Sequence, residues 1–218
     1  MSREMAPPKL RVVGPREWHD IDPEWAARQH QQRGQTGEPY RQAIGVDLGY
    51  TENGGDYTSI IPVAAMGRFF YVRDLIRCRR DVIHVRSVLA GVQAKYPGAT
   101  LVSYIAGPEK AVLALLAEEH VDERTGQKVP AVYVDAMLAR FPKPVRSQRT
   151  AERWNEGRIV VPPTRPWTGA FVERMKMFTG APGGDDGDTD ALVSAIDYLE
   201  AMAPSEQAST GAFGRTRV

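Results

Sequence analysis

A chain of 218 residues with 42% hydrophobic and 25% charged residues can build one ordinary domain with a real core, which excludes wholesale disorder. Its 28 basic and 27 acidic residues leave a net charge of +1, so any nucleic-acid surface has to be a local patch balanced by acid elsewhere. The lone cysteine, Cys78, excludes an intrachain disulfide framework and a cysteine zinc cluster.

No apolar run approaches the roughly 20 residues of a membrane helix, and the opening MSREMAPPKLRVVG lacks the apolar stretch of a signal peptide. The default expectation is a cytosolic protein. Residues 1–40 carry Pro7, Pro8, Pro15, Pro23 and Pro39 among many Gln and Arg, and read as an arm or linker with one helical turn near Pro23–Gln32. Residues 204–218 are small and polar and read as a disordered tail. The core is expected over residues 41–203.

Within that core, Ala43–Leu48 is a short apolar strand interrupted by Asp47. Ser59–Ala65 and Arg68–Leu75, rich in β-branched and aromatic residues, are two more strands joined by a hairpin at Met66-Gly67. Val82–Lys95 has apolar residues at helical spacing and stops at Pro97-Gly98. Thr100–Ile105 is a strand, Pro108–His120 a helix and Ala131–Val134 a short strand. Gln148–Glu156 is a helix closed by Gly157. Arg158–Val161 is a strand, followed by helices at Trp167–Phe178 and Thr189–Ala203. Three opening strands of antiparallel type followed by strand–helix alternation predict a mixed α/β sheet of five to six strands flanked by helices.

Three acidic positions carry the chemistry. Asp47 lies inside an apolar strand, where a charge is costly unless it is paired, bound to a cation or used as a turn cap. Glu109 follows the strand Thr100–Ile105 and opens a helix, where it can serve as a first-turn acid or as a ligand. The run Gly183-Gly184-Asp185-Asp186-Gly187-Asp188-Thr189-Asp190 packs four carboxylates into six residues, which repel one another unless a cation sits among them. Asp186 and Asp190 are four apart and share a helix face, while Asp188 points elsewhere. One or two such acids also serve simply to cap a helix and complement its dipole. Carboxylates from separate elements suit hard ions such as Mg²⁺ or Mn²⁺, and two such ions can drive phosphodiester hydrolysis.

The basic residues Arg140, Lys143, Arg146, Arg149, Arg153 and Arg158 fall in a stretch whose only acids are Glu152 and Glu156. They are candidate contacts to DNA phosphates, with little base readout expected. Arg77, Arg79 and Arg80 form a second cluster that reads as a solvated face. Trp154, Trp167, Tyr57 and Tyr104 read as packing residues, and His84 and His120 have no partner at metal-ligand spacing.

The strand Ile44–Gly49 with Gly55-Asp56-Tyr57-Thr58, the segment Ser103–Lys110, the segment Trp154–Pro162 and the run from Phe178-Thr179-Gly180 to Asp190-Ala191-Leu192 come in an order that resembles the C-terminal nuclease domain of the large terminase subunit of tailed phages. The resemblance spans about residues 41–202. It implies a ribonuclease H-like fold and a two-metal endonuclease that cuts double-stranded viral concatemers during genome packaging. By position it implies Asp47, Glu109 and Asp186 as catalytic ligands of Mg²⁺ or Mn²⁺, with Asp190 and then Asp188 in support. The family's closing motif reads Asp-Asp-x-x-Asp-Ala, and here Gly187 stands where its second Asp would be. Asp56 reads as a turn residue. The implied partners are double-stranded DNA, a terminase ATPase motor, the small terminase subunit and the portal, in the cytoplasm of an infected bacterium.

No phosphate-binding loop of the Gly-x-x-x-x-Gly-Lys-Ser/Thr type is present, so the chain is expected to be either an excised nuclease domain or a partner of a separate motor. The rival readings are an actin-like or sugar-kinase ATPase, a Holliday-junction resolvase, and a DNA-clamping or motor-docking module without catalysis.

Overall fold

The computed structural model describes residues 40–49, 57–107, 109–121, 126–163, 165–178 and 185–203. The expected N-terminal arm and helical turn, Asp56 and the expected C-terminal tail lie outside the described residues.

Nine strands and five helices follow in chain order among these residues: β1 Arg41–Asp47, β2 Thr58–Met66, β3 Phe69–Val72, β4 Ile76–Cys78, α1 Val82–Lys95, β5 Thr100–Ile105, α2 Glu109–Leu116, β6 His120–Val121, β7 Lys128–Val129, β8 Val134–Leu138, α3 Lys143–Asn155, β9 Ile159–Val160, α4 Thr168–Met177 and α5 Gly187–Ala201. Seven strands form one sheet in the order β8-β5-β1-β2-β3-β9, with β4 also on β2. The meander β1-β2-β3 is antiparallel, whereas β5 runs parallel to β1, β8 parallel to β5 and β9 parallel to β3. The short β6 and β7 pair as a separate hairpin.

The sheet has one strand more than expected because the segment 68–78 does not run straight. Asp74 Oδ1 accepts the Leu75 N–H at 3.0 Å, and the chain bends there. β3 pairs with the end of β2 and β4 with its start.

Period-2 alternation divides the core into two layers. Ala43, Ile61 and Val63 face one side with Trp154, Phe171, Leu192, Ile196 and Leu199 of α3, α4 and α5. Ile44, Val46 and Ile60 face the other with Val85, Leu89, Val112 and Leu116 of α1 and α2. The same alternation puts Gly45 and Asp47 on the α5 side. There α5 lies directly on β1: a Cβ at Gly45 would overlap the Ala191 carbonyl oxygen and stand 3.0 Å from Ala195 Cβ. Only glycine admits this approach. α5 is buried on nearly every side from Gly187 to Ile196, as expected of a helix held between a sheet and two other helices.

Several boundaries differ from the expectation. α2 stops at Leu116, where the buried Arg86 of α1 donates to the Leu115 carbonyl, and residues 120–129 contribute the hairpin instead. The strand expected at 131–134 begins at Val134, and Asp135 and Ala136 are exposed on it because β8 is a sheet edge. α3 starts five residues early because a proline, Pro144, is tolerated in its first turn. Among the described residues no helix is long and apolar enough to cross a membrane.

Candidate active site

The parallel strands β1, β5 and β8 all end at one edge of the sheet, and the N-terminus of α5 lies over that edge. Asp47 is the last residue of β1 and stands opposite Ser59 of β2. The loop leaving β1 is tied back by Gly49 N–H donating to Thr58 Oγ1 at 3.1 Å, while the Thr58 hydroxyl donates to the Gly49 carbonyl. Asp186 occupies the N-cap position of α5 without a side-chain capping bond, and Asp188 and Asp190 lie in the first turn, where the helix dipole favours anions.

The acids of this run separate into two groups. Asp188 is 1% exposed and closed off: Ser59 Oγ donates to it at 2.7 Å, Arg174 Nε pairs at 2.6 Å and Arg77 Nε at 3.1 Å. Two guanidiniums and a hydroxyl meet the charge of a single carboxylate, and its role in the structure is to bind α5 to β2, β4 and α4. Asp185 is half exposed and extends this group through Arg77 Nη2 at 2.5 Å.

Asp186 and Asp190 face the other way, as the four-residue spacing predicts. They converge on one cation, the Lys143 ammonium, at 2.8 and 2.7 Å. Burial alone would lower the pKa of Lys143, but its hydrogen bonds to Asp186 and Asp190 outweigh that and hold it above its ordinary value. Arg146 Nη2 lies 3.6 Å from Asp190 Oδ1. Its guanidinium stacks over the Tyr104 ring at 4.3 Å, and Tyr104 donates to Asp197 at 2.6 Å.

Asp47 lies against the start of α5. A Cβ on Gly187 would stand 2.9 Å from Asp47 Oδ2 and 3.1 Å from Ser59 Oγ. Glu109 is the first residue of α2, and its Oε2 accepts the backbone N–H of Gly107 at 2.8 Å and of Ala106 at 3.2 Å. Burial raises its pKa, but the backbone N–H groups of Glu109, Ala106 and Gly107 together with Lys143 bring it net below the ordinary value. Glu109 therefore closes its own strand-to-helix turn, with Lys143 as the electrostatic link to the α5 acids.

No three His, Cys, Asp or Glu side chains among the described residues converge as a ready metal cage. What fits a cation is the pair Asp186 and Asp190, which already encloses an ammonium, with Asp47 beside the same helix end. Their donors are all carboxylate oxygens, the set that hard divalent ions take.

The basic stretch is mostly engaged within the protein. Arg153 and Arg149 pair with Glu200 of α5 at 2.7 and 3.5 Å. Arg158 donates to the Arg68 carbonyl at 2.8 Å and pairs with Glu156 at 3.3 Å. Arg146 is almost buried. Of the six, Arg140 is exposed and makes no ion pair with a described residue. Trp154 and Trp167 pack on Phe171 at 6.1 and 5.8 Å, and His84 bonds to the helix-capping Asp81 at 2.8 Å, as expected for residues of the scaffold. Ser59 and Arg174 carry no functional signal along the chain, and Arg77 reads there as a surface charge. Their meeting around Asp188 has no local signature.

No protein-family model matches this sequence, and no curated protein matches it either. In three dimensions the chain is similar to the large terminase of a thermophilic bacteriophage, with 12% identity and a TM-score of 0.51 over 77% of this chain and 41% of that one. It shares the fold of the matched part of that large terminase. The chain spans less than half the length of that phage protein. The human cytomegalovirus terminase nuclease domain, Mn soaked and inhibitor bound, aligns over 77% of this chain and 85% of that one at 14% identity and a TM-score of 0.47. The mixed sheet flanked by helices that the order of elements predicts is the one found, with β1-β2-β3 antiparallel and β5 and β8 added in parallel beyond β1.

Proposed function

We propose that this chain is a metal-dependent endonuclease that cuts double-stranded DNA, acting on viral concatemers during genome packaging. The observation that carries the reading is the convergence of Asp186 and Asp190 on one cation position, beside Asp47 at the strand edge of a terminase-nuclease fold. Asp47, Asp186 and Asp190 would hold Mg²⁺ or Mn²⁺, and Glu109 would join them only by turning away from its loop amides. When bound, a pair of such ions supplies an activated water and stabilises the charge leaving a phosphodiester. The chain's own part is to hold these carboxylates in register and to bring the DNA backbone to them. β1 fixes Asp47, α5 fixes Asp186 and Asp190 one turn apart, and Lys143 balances their charge in the metal-free protein. Asp188, with its charge already met by Arg77 and Arg174, supports the site without binding metal. The partners that follow are duplex DNA, a packaging ATPase motor, the small terminase subunit and the portal, and the setting is the cytoplasm of an infected bacterium.

A second reading is favoured by Gly187 in place of an acid and by Lys143 filling the Asp186–Asp190 pair. In that reading the domain clamps DNA or docks a motor and does not cut. Plasmid cleavage with Mg²⁺, Mn²⁺ or EDTA, beside an Asp47→Ala control, separates the two. Metal-dependent nicking lost in Asp47→Ala supports the nuclease. Equal inactivity of both proteins at high Mn²⁺, with DNA binding intact, supports the clamp.

A further inference from the structure

Most of the basic stretch 140–158 is committed to Glu156, Glu200, Asp186 and Asp190, which leaves too little free charge on that side to hold a duplex. Further exposed cations lie elsewhere on the same edge. β4 runs antiparallel to β2 with Cys78 opposite Thr58, and β2 sets Ser59 opposite Asp47. Arg79 and Arg80 therefore leave β4 at the edge where β1 delivers Asp47. Both are exposed and neither makes an ion pair with a described residue. The Arg79 guanidinium is held 4.2 Å over the Tyr57 ring. Arg77, stacked at 4.2 Å on the same ring, is anchored through Asp185 and Asp188. The ring thus holds both an acid-anchored guanidinium and one with no ion pair to a described residue, which positions Arg79 without using its hydrogen-bonding capacity.

The strand order along this edge is β4-β2-β1-β5-β8, four steps of about 4.8 Å, or roughly 19 Å from Arg79 to the end of β8, where Arg140 emerges. The acidic centre lies between the two flanks. Lys110, exposed in the first turn of α2, adds a further cation beyond β5. This span exceeds a major groove, which is about 12 Å wide, so cations at both ends would meet phosphates on opposite sides of a groove.

We infer that Arg79 and Arg80, with Tyr57 as the platform for Arg79, form a second phosphate-binding flank that holds duplex DNA across the edge opposite Arg140 and centres the backbone over Asp47. The inference rests on the proposed DNA substrate and adds which residues hold it and from which side.

The test is fluorescence anisotropy of the full chain on a labelled duplex in EDTA over a salt series. Each phosphate contact contributes about 0.9 to the slope of log K against log salt. The double variant Arg79→Gln/Arg80→Gln is expected to bind more weakly and to reduce that slope by nearly two contacts. Arg79→Lys/Arg80→Lys should restore most of the slope, and Lys128→Ala, on the remote hairpin, should leave it unchanged. Both arginines are exposed, so the melting temperature of the double variant should match wild type. An unaltered slope and affinity in the double variant overturns the inference, as does a wild type that fails to bind duplex. Metal-dependent plasmid cleavage by the wild type is scored separately. If cleavage occurs and the slope does not move, only the flank is wrong. If the slope moves and no cleavage occurs, the flank stands and the nuclease reading fails.

Discussion

Gly187 is pressed against Asp47, close enough that a Cβ there would stand 2.9 Å from the aspartate Oδ2. The family motif that the sequence resembles has an acid at this position, and this chain uses the space to bring the backbone of α5 onto the strand-end carboxylate. The contacting atom is the tip of a side chain, which can swing aside at small cost. Gly187→Ala is therefore expected to keep stability within about 1 kcal/mol while turning Asp47 out of register. The checks are a denaturant midpoint near wild type and plasmid nicking reduced by about tenfold or more. Full nicking activity would show that the position of Asp47 does not matter.

Asp188 and Asp185 differ in burial and should differ in consequence. Asp188 is 1% exposed and meets both Arg77 and Arg174, so Asp188→Ala leaves two inward-facing guanidiniums without their acid. Loss of one partner of a buried ion pair costs about 3–5 kcal/mol. Asp185→Ala, at a half-exposed position, should cost under about 1 kcal/mol. Urea unfolding of both variants tests the contrast, and equal midpoints would refute a structural role for Asp188.

Lys143 competes with any divalent ion for Asp186 and Asp190. Lys143→Met removes the competitor and should tighten Mn²⁺ binding several-fold, read by calorimetry or by the Mn²⁺ paramagnetic resonance signal. The apo protein should lose stability, because two carboxylates are left facing each other, and Mn²⁺ should restore it. Mn²⁺ affinity equal to wild type would mean that the ion, if bound, sits elsewhere.

Two acids give pH effects of opposite sign. Burial raises the Asp197 pKa, only partly countered by the Tyr104 hydrogen bond and by Arg149. A raised carboxyl contributes stability at low pH that is lost as pH rises through its folded value. Asp197→Asn, which cannot ionise, should therefore gain on wild type in melting temperature from pH 4 to pH 7. The Glu109 pKa is lowered, so its contribution is present at neutral pH and lost as pH falls through its folded value. Glu109→Gln should be less stable than wild type at pH 7 and converge with it in acid. Differences that stay constant with pH would rule out these assignments.

What the sequence determined by itself was local. The short apolar run Ala43–Leu48 placed Asp47 on a buried strand, helical spacing put Asp186 and Asp190 on one face and turned Asp188 away, and the order of strands and helices implied a mixed sheet flanked by helices. These signals survive because a strand or helix reads its own periodicity within a few residues. The bounds of edge strand β8 and the hairpin β6-β7 were not legible, since half-exposed short strands carry little pattern. The use of each charge was decided only in three dimensions. Asp188 meets Ser59, Arg77 and Arg174, and Lys143 reaches acids more than forty residues away. Arg149 and Arg153 pair with Glu200, while Arg79 and Arg80 make no ion pair with a described residue on the opposite flank. Pairing between distant charges depends on which side chains packing brings within about 4 Å, and nothing in the spacing of residues along the chain records it.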